Sequence, residues 1–189
     1  IKNLNGFDES FKRHQDYEVV IIQQKSHAGY YPGATPLTMK VIYDLQQKIL
    51  GAQVVGYEGV DKRIDVISTA IHYHGKVTDL KDFHIAYAPP FASAKDAVNM
   101  VGYVAENIQN GYVKLMLPDE YQQQKDQVIT LDVREDVERQ MGYIEDSYHI
   151  PYGELTKRYQ ELDPNQTIVI YCAVGVRAYN CARTLMQRG

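Results

Sequence analysis

The chain has 189 residues, of which 44% are hydrophobic, a formal net charge of −4 and two cysteines. This length suits one large or two small domains, and a mildly acidic chain without a basic cluster argues against a nucleic-acid partner. Two cysteines make no disulfide framework, and no apolar run approaches the roughly 18 residues of a membrane span. We therefore expect a cytoplasmic protein that binds neither membrane nor nucleic acid.

The first half of the chain predicts a mixture of strands and helices. Residues 37–56 fit both a helix and a strand pattern, and their two glycines favour a hairpin that turns near residues 45–47. In chain order the pattern predicts a polar lead-in at 1–15, a strand at 17–22, a loop at 25–34, this hairpin, a helix at 61–73, a proline-rich loop at 87–91 and a helix that begins at Ser93 or Asp96 and ends near Ile108.

The second half alternates between strand and helix patterns. Strands are predicted at 113–116, 128–132 and 168–171, and helices from Pro118, at 136–141, at 153–162 and at 176–186. Such alternation predicts a parallel sheet, with the functional site at the carboxyl ends of its strands.

Cys172 lies between the last predicted strand and the last predicted helix. A helix N-terminus stabilises an anion, which lowers the pKa of a thiol and favours a nucleophilic thiolate. Gly175 allows the loop to turn inward, and Arg177 supplies a fixed positive charge for an oxyanion. We predict Cys172 and Arg177 as catalytic residues, with the anion-binding loop formed by Ala173, Val174, Gly175 and Val176. The alternative is a buried core cysteine.

The spacing C-x4-R resembles the active-site loop of the rhodanese family. Two further segments agree with that family: LDVRE at 131–135, and GYI at 142–144 followed by HIP at 149–151, although Tyr143 replaces the family's histidine. The resemblance implies an α/β domain with a parallel sheet and sulfur transfer through a persulfide on Cys172. It also implies that Asp132 and Arg134 support the loop, and that a closing strand and helix lie beyond Gly189, so that the domain is truncated at its C-terminus.

Two other functions compete with sulfur transfer. Phosphatases of the same topology use the longer C-x5-R loop, so the shorter loop here favours a terminal sulfur over a phosphate. A non-catalytic module that dimerises and docks partners is the second alternative, and the presence of both Cys172 and Arg177 argues against it.

A second resemblance covers about ninety residues of the first half. The segments KSHAGYYPGATPLTMKVIYD, KILGAQVVGYEGVDKRIDVISTAI and YAPPFASAKDAVNMVGYVAEN resemble the C-terminal dimerisation domain of the pyridine nucleotide–disulfide oxidoreductases. The branch is that of coenzyme A-disulfide reductases and persulfide reductases, from which Ala92 and Ala97 depart. The resemblance implies an α+β domain with an antiparallel sheet at 16–108, a homodimer formed through it, and a rhodanese-like domain at 109–189.

The same resemblance implies cofactors for a complete enzyme. FAD, NAD(P)H and coenzyme A would be used, with small thiols, persulfides or polysulfides as substrates. The chain has no GxGxxG fingerprint, so we expect the FAD and NAD domains elsewhere in the polypeptide and none of these groups fully bound here.

Three tyrosines are candidates for a site shared across the dimer. The resemblance implies that Tyr87 and either Tyr30 or Tyr31 reach the partner subunit's active site, and packing at the interface is an equal alternative. His72 and His74 are two residues apart on a helix and face different directions, so we expect no metal site. Cys181 is expected to pack within its helix rather than to resolve a disulfide.

Overall fold

The computed structural model describes residues 17–188. The described residues fall into two compact units, 17–109 and 110–188. The predicted polar lead-in at 1–15 and the predicted domain start at residue 16 lie outside the described residues.

The first unit is an antiparallel sheet covered by helices. The elements are β1 Tyr17–Lys25, β2 Pro36–Asp44, β3 Ile49–Gly56, α1 Val60–His72, a 3-10 helix Val77–Asp82 and α2 Ala97–Gln109. The strands have the order β1-β2-β3, with each strand antiparallel to its neighbour. This order confirms the antiparallel sheet with helices that the sequence predicts.

Alternating burial shows why residues 37–56 form a hairpin. Leu37, Met39, Val41 and Tyr43 on β2 are buried, whereas the residues between them are only partly covered. A period of two places one set of side chains on the helix-covered face, which a helix could not do with the same sequence. The predicted hairpin is therefore correct.

The helices α1 and α2 close the core of this unit. Ile67 of α1 and Val98 and Val101 of α2 are at most 1% exposed and pack with the β2 side chains. Each such side chain contributes roughly 1.5–3 kcal/mol through burial. A Cβ added at Gly102 would lie 2.3 Å from the backbone nitrogen of Lys81, so glycine lets α2 approach the 3-10 helix closely.

The second unit is built on a small parallel sheet. The elements are α3 Pro118–Gln124, β4 Ile129–Asp132, α4 Asp136–Gln140, β5 Tyr148–His149, α5 Leu155–Arg158, β6 Ile168–Tyr171 and α6 Val176–Met186, with 3-10 turns at Lys125–Gln127 and Tyr159–Glu161. The strand order is β5-β4-β6, and β4 is parallel to both neighbours. The predicted parallel sheet is confirmed.

Two predictions for the second unit are wrong in detail. Residues 113–116 form no strand in the described structure, although β5 and β6 each have a free edge. The predicted helix 153–162 reduces to α5 and a 3-10 turn. The predicted strand at 168–171 is present as β6, which is half-buried because it lies at the edge of the sheet.

Candidate active site

The loop after β6 carries the predicted nucleophile. Strand β6 ends at Tyr171, Cys172 follows, and α6 begins at Val176. Gly175 is the N-cap residue of α6 and has φ 92°, in the left-handed region that side chains with a Cβ rarely adopt. The glycine therefore allows the chain to reverse between strand and helix within four residues.

Cys172 lies half-exposed at the N-terminus of α6. The backbone N–H of Gly175 donates to its Sγ atom at 3.1 Å. A donor at this distance, together with the positive end of an 11-residue helix, stabilises a thiolate or a terminal sulfide. Val174 and Val176 are 52% and 61% exposed, so the mouth of the loop is apolar.

Arg177 is held by a carboxylate that sequence reasoning missed. Its Nη1 and Nη2 donate to the two carboxylate oxygens of Glu138, on α4, at 2.6 and 2.7 Å. This hydrogen-bonded pair lowers the pKa of Glu138 to about 2 and raises the pKa of Arg177, with a smaller contribution to the latter from Cys172. The guanidinium that the sequence predicts for an oxyanion thus already has a partner.

Asp132 anchors the residue that precedes Cys172. The Tyr171 hydroxyl donates to Asp132 Oδ2 at 2.7 Å, and Arg134 donates to the same carboxylate through Nε at 3.0 Å and Nη2 at 2.8 Å. Burial alone raises the pKa of Asp132, but these hydrogen bonds from Arg134 and Tyr171 outweigh it and hold that pKa well below its usual range. The predicted loop supports therefore meet at the carboxyl ends of β4 and β6.

A second arginine extends this network. Arg139 donates from Nη1 to Asp132 Oδ2 at 3.1 Å and to the hydroxyl of Ser147 at 2.9 Å. The Ser147 hydroxyl lies 3.3 Å from the Tyr171 hydroxyl. Sequence reasoning did not identify Arg139 or Ser147. The available signal was that Arg139 lies four residues after the DVRE segment and Ser147 two residues before the HIP segment.

Cys181 occupies the core rather than the site. It is 1% exposed and packs with Leu131, Ile150 and Leu155. Burial, and to a smaller extent the charge of Cys172, raise the pKa of its thiol to about 11. These properties agree with the predicted packing role and not with a resolving thiol.

The first unit brings two of the three predicted tyrosines together. The hydroxyl groups of Tyr30 and Tyr87 lie 2.8 Å apart, and both side chains are exposed. The hydrogen bond to Tyr30 raises the pKa of Tyr87. Tyr31 instead makes an edge contact with His27, with ring centroids 5.8 Å apart. The pairing selects Tyr30 over Tyr31 as the companion of Tyr87.

A buried ion pair holds the loops that carry these tyrosines. Arg63 donates to Asp96 through Nε at 3.1 Å and Nη2 at 2.6 Å, and Nη2 also donates to the Ser26 carbonyl at 2.8 Å. The Ala28 N–H donates to the Ala92 carbonyl at 3.1 Å, which joins the two loops. The sequence signal for a buried Arg63 was its position four residues before Ile67, on the core face of α1.

Asp96 has a second role as the cap of α2. Its Oδ1 accepts the Val98 N–H at 3.2 Å, so the helix begins directly after it. Of the two predicted caps, Ser93 and Asp96, the structure therefore selects Asp96.

Residues 17–188 contain no group of three or more His, Cys, Asp or Glu side chains that is arranged to hold a metal ion. The His72 ring lies edge-on to Tyr73, with centroids 5.0 Å apart. Also within the described part of the chain, no helix is both long and apolar enough to cross a membrane.

Two family models match the chain, one on each unit. The pyridine nucleotide-disulphide oxidoreductase dimerisation domain matches residues 10–98, and the rhodanese-like domain matches residues 117–189. The chain therefore carries a pyridine nucleotide-disulphide oxidoreductase dimerisation domain followed by a rhodanese-like domain. Both resemblances seen in the sequence are confirmed.

Two curated relatives of this chain carry the same name. Over 92 residues, 48% of this chain, it is 50% identical to a coenzyme A disulfide reductase of Staphylococcus aureus (strain bovine RF122 / ET3-1), covering 21% of that protein. A coenzyme A disulfide reductase of Staphylococcus epidermidis (strain ATCC 12228 / FDA PCI 1200) is 46% identical over the same length and with the same coverage.

Two solved structures match most of the chain. Reduced Bacillus anthracis CoADR-RHD has a TM-score of 0.88 at 47% identity, and a NAD-dependent persulfide reductase from A. fulgidus has a TM-score of 0.82 at 36% identity. Each match covers 92% of this chain and 31% of the other chain. The chain thus spans about a fifth of the curated relatives and about a third of these structures.

Proposed function

We propose that the chain is the C-terminal portion of a cytoplasmic, FAD- and NAD(P)H-dependent reductase of coenzyme A disulfide, persulfides or polysulfides. In this proposal residues 16–108 form the dimerisation domain, and residues 109–189 form a rhodanese domain that carries sulfane sulfur on Cys172. The observation that supports sulfur transfer most directly is the half-exposed Cys172 Sγ, which accepts the Gly175 N–H at the N-terminus of α6.

The sulfur transfer would proceed in two nucleophilic steps. The Cys172 thiolate attacks the terminal sulfur of an organic persulfide, R–S–SH. The S–S bond of the donor breaks, the thiolate R–S⁻ leaves with the bonding pair, and Cys172 carries –S–SH. An acceptor thiolate then attacks that terminal sulfur and releases the Cys172 thiolate again.

The chain's own residues have separate parts in this cycle. The Gly175 N–H and the N-terminus of α6 stabilise the Cys172 thiolate, which attacks the donor in the first step and is released in the second. Asp132 positions the loop by accepting the Tyr171 hydroxyl, and Arg134 fixes Asp132. Glu138 holds Arg177, so this arginine positions the start of α6 rather than binding an oxyanion alone.

The described units do not fit a bound flavin or nicotinamide. Residues 17–188 contain no GxGxxG turn, and the first unit's sheet is antiparallel, whereas a dinucleotide site requires a parallel strand leading through such a turn into a helix. We therefore propose that other domains of the same polypeptide hold FAD and NAD(P)H, and we assign no step of that chemistry to this chain.

The tyrosine pair connects the first unit to the reductase reaction. We propose a homodimer formed through residues 16–108, in which Tyr30 and Tyr87 face the partner subunit's reductase site. Their hydroxyl groups are 2.8 Å apart and exposed, so either phenol can donate to a thiolate that forms nearby. Tyr31, packed on His27, would support the loop.

Turnover with a persulfide donor tests the sulfurtransferase assignment. Transfer from glutathione persulfide to cyanide, measured as thiocyanate, should be lost in Cys172→Ala and kept in Cys181→Ala, because Cys181 lies in the core. Equal turnover in Cys172→Ala and the wild type would contradict the assignment. Light scattering tests the dimer, and a monomer at high protein concentration would contradict it.

A further inference from the structure

The Glu138 carboxylate neutralises Arg177, the positively charged residue at the end of the loop that would bind a sulfur donor. Glu138 accepts both terminal nitrogens of Arg177, at 2.6 and 2.7 Å, in a fork–fork pair that offsets the positive charge and fixes the geometry. The residues between Cys172 and Arg177 are Ala173, Val174, Gly175 and Val176, all uncharged. The loop therefore presents little net charge to an incoming donor.

The neighbouring arginines are engaged as well. Arg134 and Arg139 both donate to the buried carboxylate of Asp132. Arg134 donates further to the Gly142 carbonyl at 2.8 Å, and Arg139 to the Ser147 carbonyl at 3.0 Å. These two arginines act on the loop through Asp132, which accepts the Tyr171 hydroxyl, whereas Arg177 is the arginine that Glu138 neutralises.

We propose that Glu138 sets the donor preference of the Cys172 site, so that organic persulfides are accepted in preference to dianionic thiosulfate. This inference rests on the proposed function. Without the Glu138 carboxylate, Arg177 would attract an anionic donor. With that carboxylate in place, the apolar side chains of Val174 and Val176, 52% and 61% exposed, are the surface available to the carbon chain next to the donor sulfur.

The two donors differ in the charge that the loop must accommodate. Thiosulfate transfers its outer sulfur to the Cys172 thiolate: the S–S bond to the sulfonate breaks, and sulfite leaves as a dianion with the bonding pair. The products, Cys172–S–S⁻ and SO₃²⁻, carry the same three negative charges as the reactants. An organic persulfide expels one thiolate, so it needs less positive charge at the site.

The test compares the rates at which two donors load Cys172 with sulfur. Glu138→Gln keeps the length of the side chain and one acceptor for the Glu135 N–H, which Glu138 Oε2 accepts at 3.0 Å, but it removes the charge that offsets Arg177. Loading from thiosulfate should rise about fivefold, the upper range for one exposed charge pair, while loading from glutathione persulfide changes less than about twofold.

Two further variants assign the effect to Arg177. Glu145→Gln removes the same charge from an exposed residue of the same unit and should leave both rates unchanged. Loss of Arg177 lowers both rates because this residue positions the start of α6, but in the double variant Glu138→Gln/Arg177→Gln the ratio of the thiosulfate rate to the glutathione persulfide rate should return to the wild-type value, a coupling that general damage to the fold would not produce.

Measurements on the wild type test the proposal even if Glu138→Gln does not fold. With the loop charge offset, thiosulfate loading should change less than about twofold between low and high salt. A steep decrease with salt, or an unchanged or lower thiosulfate rate in a folded Glu138→Gln, overturns this inference alone. A wild-type protein that takes sulfur from neither donor contradicts the proposed function itself.

Discussion

The Tyr171 hydroxyl donates to the Asp132 carboxylate at 2.7 Å, across the carboxyl ends of β6 and β4. This contact fixes the residue directly before Cys172 to a side chain that is itself fully buried. The position of the nucleophile therefore depends on the sheet as well as on its loop.

Tyr171→Phe should slow the loading of Cys172 and reduce stability. The ring is kept, but the hydroxyl that contacts Asp132, Ser147 and the Ile144 N–H is lost. We expect a decrease in the free energy of unfolding of about 1.5–3 kcal/mol, as for one hydrogen bond to a charged acceptor. Urea denaturation monitored by circular dichroism measures it, and an unchanged midpoint would contradict the role given to this contact.

Asp132 should also make stability depend on pH in the acid range. Its pKa is lower in the folded than in the unfolded chain, so the stability it contributes is complete above the usual carboxyl pKa of about 4 and is lost as the pH falls toward the lowered folded value. Asp132→Asn should lower stability at pH 7 and flatten its decrease below about pH 4. Thermal unfolding at several pH values tests this, and an equally steep decrease in the variant would count against it.

Gly175→Ala should disturb the loop without a steric clash. A Cβ there meets nothing within 4 Å, so the cost comes from φ 92° alone and is about 1–2 kcal/mol. Gly153→Ala is the matched control, because its Cβ also meets nothing within 4 Å and its backbone lies outside the left-handed region. Loading of Cys172 should fall in the first variant and stay constant in the second; equal rates in both would contradict the loop assignment.

The buried pair Arg63–Asp96 should matter for both stability and the tyrosine loops. Arg63→Met leaves Asp96 as an unpaired buried carboxylate, which costs about 3–5 kcal/mol. We expect an early thermal transition of the first unit and faster amide exchange in residues 26–31 and 87–92. Exchange as slow as in the wild type would show that the loops do not depend on this pair.

Gly102→Ala should destabilise the first unit even though alanine has a higher helix propensity than glycine. Alanine favours helices by about 1 kcal/mol over glycine, but its Cβ would lie 2.3 Å from the Lys81 backbone nitrogen. A lower melting temperature is expected, measured by calorimetry. A stabilised variant would show that α2 and the 3-10 helix separate easily.

Local patterns in the sequence are sufficient to predict most of the fold. Alternating apolar residues on β2 and the Cys172-to-Arg177 spacing between strand and helix depend on neighbours in the chain, and the structure has the predicted elements there. The predicted strand at 113–116 is wrong even though β5 and β6 each have a free edge, because strand pairing depends on distant segments and is not contained in a local pattern.

The contacts that complete the candidate site were not accessible from local patterns. Glu138 reaches Arg177 across 39 positions of sequence, and Tyr30 reaches Tyr87 across 57. No local pattern indicates that Arg63 pairs with Asp96, which lies 33 positions further along the chain. Residue types and motifs identify the candidate residues, whereas the partners of those residues are seen only in the three-dimensional structure.

The central claim is that Cys172 carries sulfur, and intact mass spectrometry tests it most directly. The protein is incubated with glutathione persulfide, separated from the donor and weighed, as wild type, Cys172→Ala and Cys181→Ala. We predict one added sulfur atom in the wild type and in Cys181→Ala, removed by dithiothreitol, and none in Cys172→Ala. An adduct that persists in Cys172→Ala, or no adduct on a wild-type Cys172 that still reacts with iodoacetamide, would contradict the account.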